Sequence, residues 1–488
     1  MTNSHAAVAP PQAGTAEVRT DRHPRGLKVI FFTEMWERFS YYGMRALLVL
    51  YLTKALGYDR AHALEIYGIY TGLVYLTPLI GGYLADKYFG LRQGAVIGGI
   101  IMMFGHFAMA FEPLLHLALG LLIVGNGFFK PNTSSMVGQL YEKDDPRRDG
   151  GYTIFYMGIN LGAFFSPLVA GTLGEKLGWH YGFASAGVGM AIGLFTLVGW
   201  QRLLGNAGLR PGQTRIEGRD WIAILATSAA SIPFVYAALF IWGIVSGAFN
   251  LLPLWAWALI GAAAIVASVW TQVHNRDEGR RVIGIAIVVF FVIFFWMGFE
   301  QAGGTMNLFA DQQTDRHAFG WEIPASWFQS INPLVIVALA PLFSMLWTWI
   351  DRSRFALSDT TKQGLGMIVL GLGFIVLAIA QSQAEKFGPV GPQWLFFVYF
   401  LHTVGELMLS PVGLSMVSKV APVRLAGLLM GVWLLSSAVA NYLSGTLEAM
   451  LSTSGIPLYW FLVGSSIGAG IVLLLISPVL QRLMYGKR

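Results

Sequence analysis

Seven ionisable residues stand inside runs of apolar sequence: Glu34, Glu37, Arg38, Arg45, Lys130, Glu300 and Glu406. A charge at the centre of a bilayer costs roughly 2.5–3.5 kcal/mol on insertion scales, so such residues persist chiefly where something uses them. In "EMWERFSYYGMR", Glu34, Glu37, Arg38, Tyr41, Tyr42 and Arg45 sit at offsets 0, +3, +4, +7, +8 and +11, one continuous polar stripe of a helix. Phe32, Trp36, Met44, Leu47 and Leu48 make the apolar opposite side. Such a stripe faces a cavity; the plainer alternative is a Glu–Arg pair that glues two helices. Two acids and two bases over three turns exceed what gluing needs. With Lys130, Glu300 and Glu406 the set has four acids and three bases, an excess of one negative charge that one bound proton neutralises. That balance points to proton coupling, since a carboxylate without a full partner in a low-dielectric cavity is poised to take up a proton.

Pro131 follows Lys130, Pro333 follows Asn332, and Pro411 lies five residues beyond Glu406, so kinks are expected beside the polar groups. His402, one turn before Glu406, reads as a packing residue more than a relay. "GNGFFKPN" lacks the Gly-Lys-Ser/Thr ending of a phosphate loop.

The elements that must hold these residues are membrane helices. Of 488 residues, 55% are hydrophobic and only 12% charged, and the mean hydropathy is +0.59. Spans of about 20 residues fall at 27–54, 63–85, 92–111, 114–139, 150–173, 181–203, 220–245, 253–273, 283–309, 325–350, 363–384, 392–418, 425–450 and 457–483, which predicts about fourteen helices. Residues 1–26 lack the apolar stretch of a signal peptide and read as a disordered cytosolic tail. With that tail inside, most of the 32 Lys and Arg residues fall in cytosolic loops, leaving only Lys54, Arg60, Lys176, Arg316 and Lys386 outside. The positive-inside rule then puts both termini in the cytosol, and the pI near 9.3 reflects loop composition instead of nucleic-acid binding. The absence of cysteine excludes disulfides and thiolate metal sites.

Two spans without internal charge are bracketed by polar stretches 206–220 and 273–281, which predicts a six-helix bundle (27–203), a linker with two inserted helices (204–282) and a second six-helix bundle (283–488). That plan suits a transporter whose halves rock about a central site. The loop "GGYLADKYFGLRQ" carries Gly82, Asp86, Gly90 and Arg92 at the spacing of the signature loop of major facilitator transporters, and "WIDRSRFALSDTTKQGLG" echoes it in the second half.

At these residues the sequence resembles the proton-coupled oligopeptide transporter (POT) family of the major facilitator superfamily. "EMWERFSYYGMR" resembles its ExxER signature, and "GNGFFKPNTSSMVGQLY" with "FYMGINLGAFFSPLVAG" resembles its second signature region. The resemblance implies an all-α integral membrane protein of the bacterial inner membrane that carries di- and tripeptides inward with protons by alternating access. It implies that Glu34, Glu37 and Arg38, with Arg45 and Glu300, couple the proton. Arg38, Tyr42 and Lys130 would receive the peptide carboxylate, and Glu406 its amino group, aided by Asn160 and Asn332. Tyr41 and Tyr75 would bind the peptide backbone. Trp296 and Trp433 would shape side-chain pockets, with Ser410 one turn beyond Glu406. Arg45 with Glu300 resembles an outer gating pair, and Lys130 with Glu406 an inner one. Animal members carry a helix-2 histidine where this chain has Gly68, so a relay there is not expected; His62 lies near the outer end.

The same machine moving another anion or zwitterion, such as nitrate, is the alternative. An enzyme is not expected, for the sequence has no HExxH, GxSxG or paired Asp motif at membrane depth. Neither is a cofactor beyond the coupling protons, a metal, or a nucleic-acid partner; the expected partners are peptide, protons and membrane lipid, around a functional monomer.

Overall fold

The computed structural model describes residues 22–486, apart from 143–144, 211–212, 214, 250–266, 268, 319, 354–355 and 453. From the end where α1 (Gly26–Lys54) begins (the near end), that helix runs to the far end, and α2 (Arg60–Leu76) returns. Asp59 starts α2 by accepting the His62 amide through its side chain, satisfying one of the free donors of a first turn. The return breaks at Thr77 and resumes as α3 (Pro78–Leu84), which ends in a wide-turned stretch, Ala85–Phe89. Then come α4 (Leu91–Ala108), α5 (Leu115–Gln139), α6 (Arg148–Ser166) with wide-turned stretches Pro167–Gly171 and Leu173–Leu177, and α7 (Trp179–Gly199). The inserted segment contributes α8 (Gly218–Phe249). In the second half, α9 (Arg276–Phe299) gives way to a tight turn, Glu300–Gly303, before α10 (Thr305–Gln312). A second tight stretch, Ala325–Ser330, opens α11 (Ile331–Asp351), followed by α12 (Asp359–Phe387), α13 (Gln393–Val420), α14 (Ala426–Ser452) and α15 (Leu458–Tyr485).

Twelve described stretches are long and apolar enough to cross a membrane. The protein is therefore a multi-pass, nearly all-helical membrane protein. Helix α1 is not one of the twelve, although its 29 residues suffice to span, because its charge stripe lowers its hydropathy. The expected second inserted helix, 253–273, lies almost wholly outside the described residues, as do residues 1–21 of the tail. One departure from an all-helical chain is a two-residue ribbon, His317–Ala318 against Trp321–Glu322, in the far-end loop before α11.

Glycine sets how closely the halves approach. A Cβ on Gly68 would lie 2.9 Å from the Tyr442 carbonyl oxygen, and one on Gly445 would lie 2.3 Å from that of Leu64, so α2 and α14 touch backbone to backbone. A histidine has no room at position 68. One apolar core joins the halves there, taking Leu47, Leu48, Leu64 and Tyr67 from the first and Phe295, Met306, Leu447 and Tyr459 from the second. A separate core at the near end belongs to the first half and includes Ile224 and Val235 of α8. The inserted helix thus leans on the first half. Its linker is clamped by Arg92, which is buried and donates to the carbonyls of Gly205 (2.8 Å) and Ala207 (3.0 Å). Gln139 accepts the Gly208 amide at 2.7 Å. The exit of the insert is tied to the second half through Arg424 and Glu278.

Candidate functional site

The stripe of α1 forms as the spacing predicts, and it is buried instead of solvated: Glu34 and Glu37 have no exposed surface, Arg38 and Arg45 almost none. Three charge clusters result. In the first, Arg38 makes a two-pronged pair with Glu37 (2.5 Å on both arms) and its Nε lies 3.7 Å from Glu34. Lys130 of α5 donates to the other acid, Glu34, at 2.7 Å, and Thr133 adds a bond at 3.0 Å. The Arg38 guanidinium also lies 4.9 Å from the Tyr41 ring centroid and 5.8 Å from that of Tyr42. Buried acids are tolerated only when paired and hydrogen-bonded in this way.

The second cluster joins the halves. Arg45 Nη2 meets Glu300 at 2.6 Å, and Arg45 Nε donates to the Tyr67 hydroxyl at 2.7 Å. Glu300 sits on the break between α9 and α10, where a Cβ on Gly303 would stand 2.0 Å from the Tyr67 oxygen. Gln301 bridges the break, accepting from Thr305 at 2.7 Å and donating to the Ser444 carbonyl at 3.0 Å. Such a discontinuous span is where transporters place coupling and substrate groups.

In the third cluster Asn332 donates to Glu406 at 2.9 Å and to Thr403 at 3.0 Å. Among the described residues no cation pairs with Glu406, so the excess negative charge of the set resides there. Lys130 and Glu406 are not paired in this structure; Glu34 of α1 holds the Lys130 ammonium. Asn160 donates its side-chain amide to the Tyr156 carbonyl of its own helix at 3.0 Å. Tyr75, Trp296 and Ser410 are half-buried, and Trp433 is buried against Gly413. His402 packs on Phe374, ring centroids 4.5 Å apart, as the packing reading expected.

Four ion pairs join the halves among the described residues: Arg45–Glu300, Lys54–Asp311, Arg60–Glu448 and Lys176–Glu322. Each lies toward the far end, which is shut. At the other end Ile80, Tyr83 and Val423 are exposed. Lys176 holds the Glu322 carboxyl below the usual carboxylate range, chiefly by its hydrogen bond. The sequence reading missed Tyr67, Thr133 and Thr403; the last two lie three residues from Lys130 and Glu406, a spacing that places a hydroxyl beside each charge.

The sequence profile described as "POT family" matches residues 95–459, three quarters of the chain. The chain belongs to the POT family. Among its POT relatives, the peptide transporter YePEPT of Yersinia enterocolitica is 35% identical over 95% of each chain. The di-/tripeptide transporter of Lactococcus lactis subsp. cremoris is 32% identical over 94% of this chain and 96% of its own. A crystal structure of the peptide transporter POT with sulfate aligns at TM-score 0.82 and 37% identity, over 95% of this chain and 96% of that one. A POT transporter in complex with 5-aminolevulinic acid aligns at TM-score 0.78 and 31% identity, over 94% and 97%. The architecture is thus that of the major facilitator transporters, and the protein is a transporter, not an enzyme.

Proposed function

We propose that this chain carries di- and tripeptides into a bacterial cell with protons, by alternating access in the inner membrane, with both termini in the cytosol. The observation that carries the reading is the separation of charge: Arg38 and Lys130 in the first half, and in the second Glu406, the acid without a cation. A zwitterion with its ammonium on Glu406 and its carboxylate on Arg38 and Lys130 draws the halves together. The relative bound to 5-aminolevulinic acid holds a molecule with the same two ends.

In this reading the shut far end is the outer face, and the structure faces the cytosol. Glu34 holds Lys130 and Glu37 holds Arg38, so both cations are occupied until a proton on either acid loosens one. The peptide carboxylate then takes the acid's place. Glu300 couples this to the gate: protonated, it releases Arg45, which stays with Tyr67 on its own half as the outer mouth opens. Tyr42 joins Arg38 and Lys130 at the carboxylate, Tyr41 and Tyr75 line the backbone-binding region, Asn332 and Asn160 flank the amine site, and Trp296, Trp433 and Ser410 bound side-chain pockets. Recognition of the two ends common to every peptide makes many side chains acceptable. The halves are assigned as 27–203 and 283–488, with the insert 204–282 riding on the first, in a lipid-embedded monomer.

The test is uptake of labelled dialanine into liposomes holding the purified protein, with an inward proton gradient and negative interior. Accumulation that collapses with an uncoupler supports the reading. Folded protein that moves other solutes and no peptide overturns the substrate.

A further inference from the structure

Glu175 takes no part in the charge clusters above, yet among the described residues it makes a densely bonded side-chain contact between the halves. Its carboxylate, on the wide-turned stretch Leu173–Leu177 of the first half, accepts the Ala325 amide (2.8 Å), the Ser326 amide (3.0 Å) and the Ser326 hydroxyl (2.6 Å) of the second. Those amides are free because they open the tight stretch Ala325–Ser330 that leads into α11; a first turn has no internal acceptors for them, and its dipole favours an anion. Neighbouring contacts run in register. Trp327 Nε1 donates to Thr172 Oγ1 at 3.0 Å, and the Ser330 hydroxyl donates to the Phe164 carbonyl at 2.8 Å. Gly171 admits the approach, since a Cβ there would lie 2.0 Å from Ser326 Oγ. The seam ends at Asn332, the residue bonded to Glu406.

We infer that Glu175 is a positioning residue of the transport cycle: a helix cap supplied across the halves, which latches the far end and seats the segment 325–332 that delivers Asn332 to Glu406. Helix caps ordinarily come from the same chain segment. Here the acceptor leaves when the halves part, so each opening of the far end uncaps a helix and each closure restores it. Closure and completion of the Glu406 site become one event. The latch rests on the alternating-access reading alone, and its link to Glu406 on the peptide reading as well.

The chain has no cysteine, so a spin-label pair introduced at exposed far-end positions, Tyr181→Cys and Phe387→Cys, reports the separation of the halves without background. Distances are measured in lipid nanodiscs for the otherwise native protein, Glu175→Ala, Glu175→Gln and Arg45→Ala. Loss of hydrogen bonds to a charged acceptor predicts a rise of about tenfold in the ratio of open to closed far ends for Glu175→Ala. Glu175→Gln keeps one acceptor oxygen and should shift less than Glu175→Ala; a further variant, Glu175→Leu, keeps bulk without an acceptor and should shift as Glu175→Ala does, and full rescue by Leu would reduce Glu175 to packing and overturn the inference. An Arg45→Ala shift without a Glu175→Ala shift also overturns it. A distance that moves in no variant overturns alternating access itself, and the latch with it. As a second readout, Glu175→Ala should raise KM for dialanine in counterflow, because Asn332 loses its seat; an unchanged KM beside a shifted distance would refute the link to Glu406.

Discussion

Replacing Lys130 by alanine should damage folding and transport separately, and a second substitution should pull the two apart. Glu34 has no exposed surface and depends on Lys130 at 2.7 Å, Thr133 at 3.0 Å and the more distant Arg38 Nε at 3.7 Å. Removing one partner of a buried pair leaves an uncompensated charge, at a cost of roughly 3–5 kcal/mol. Arg38 is already engaged two-pronged by Glu37, and the Lys130 side chain is 29% exposed, which places the loss at the lower end, about 3 kcal/mol. Lys130→Ala with Glu34→Gln removes the stranded charge, so most of that loss should return; proton-driven uptake should not, because the peptide carboxylate still lacks Lys130. Denaturation in detergent of the two single variants and the double, beside dialanine uptake into liposomes, completes the cycle. A double variant no more stable than Lys130→Ala would show that the pair is not what stabilises Glu34. Robust uptake by Lys130→Ala would remove the proposed carboxylate site.

Other expectations follow from the same geometry. Glu37→Gln should retain peptide counterflow while accumulation driven by a proton gradient disappears; if accumulation persists, another acid carries the proton. Gly68→His should hold the halves apart at the far end, because even a Cβ there stands 2.9 Å from backbone; the distance between labels at Tyr181→Cys and Phe387→Cys should lengthen, and an unchanged distance would deny that α2 and α14 must touch. Glu406→Gln should weaken dialanine binding by at least about tenfold, the loss of a hydrogen-bonded charge pair, measured by competition with labelled peptide. Equal affinity would place the amine elsewhere.

Much of this was legible in the chain. The stripe of α1 could be drawn from spacing alone, and it folds as drawn, because a helix places residues three and four apart on one face whatever surrounds it. The spans fell out of hydropathy for the same reason: each satisfies its own backbone. What hydropathy could not reveal is which charges meet. In this structure Lys130 pairs with Glu34, and pairing between helices depends on their relative rotation, which no periodicity records. The break at Glu300 had a signal, the pair Gly303 and Gly304, but apolar flanks let it pass for a continuous helix. Glu175 gave no signal at all. Its partners are backbone amides, which every sequence has.

The clamp at Arg92 has the same blindness to side chains, with an evolutionary corollary. It grips main-chain oxygens at 205 and 207, atoms that exist whichever residues occupy those positions. Apart from Gly205 and Gly208, whose positive φ favours glycine, the linker can therefore drift in composition while the grip persists, provided its length still brings carbonyls within reach. Insertions and exchanged linkers downstream of residue 208 should be tolerated where a deletion of a few residues before it is not, and descendants of one ancestor could gain, lose or replace the inserted helices without rebuilding the half that carries them.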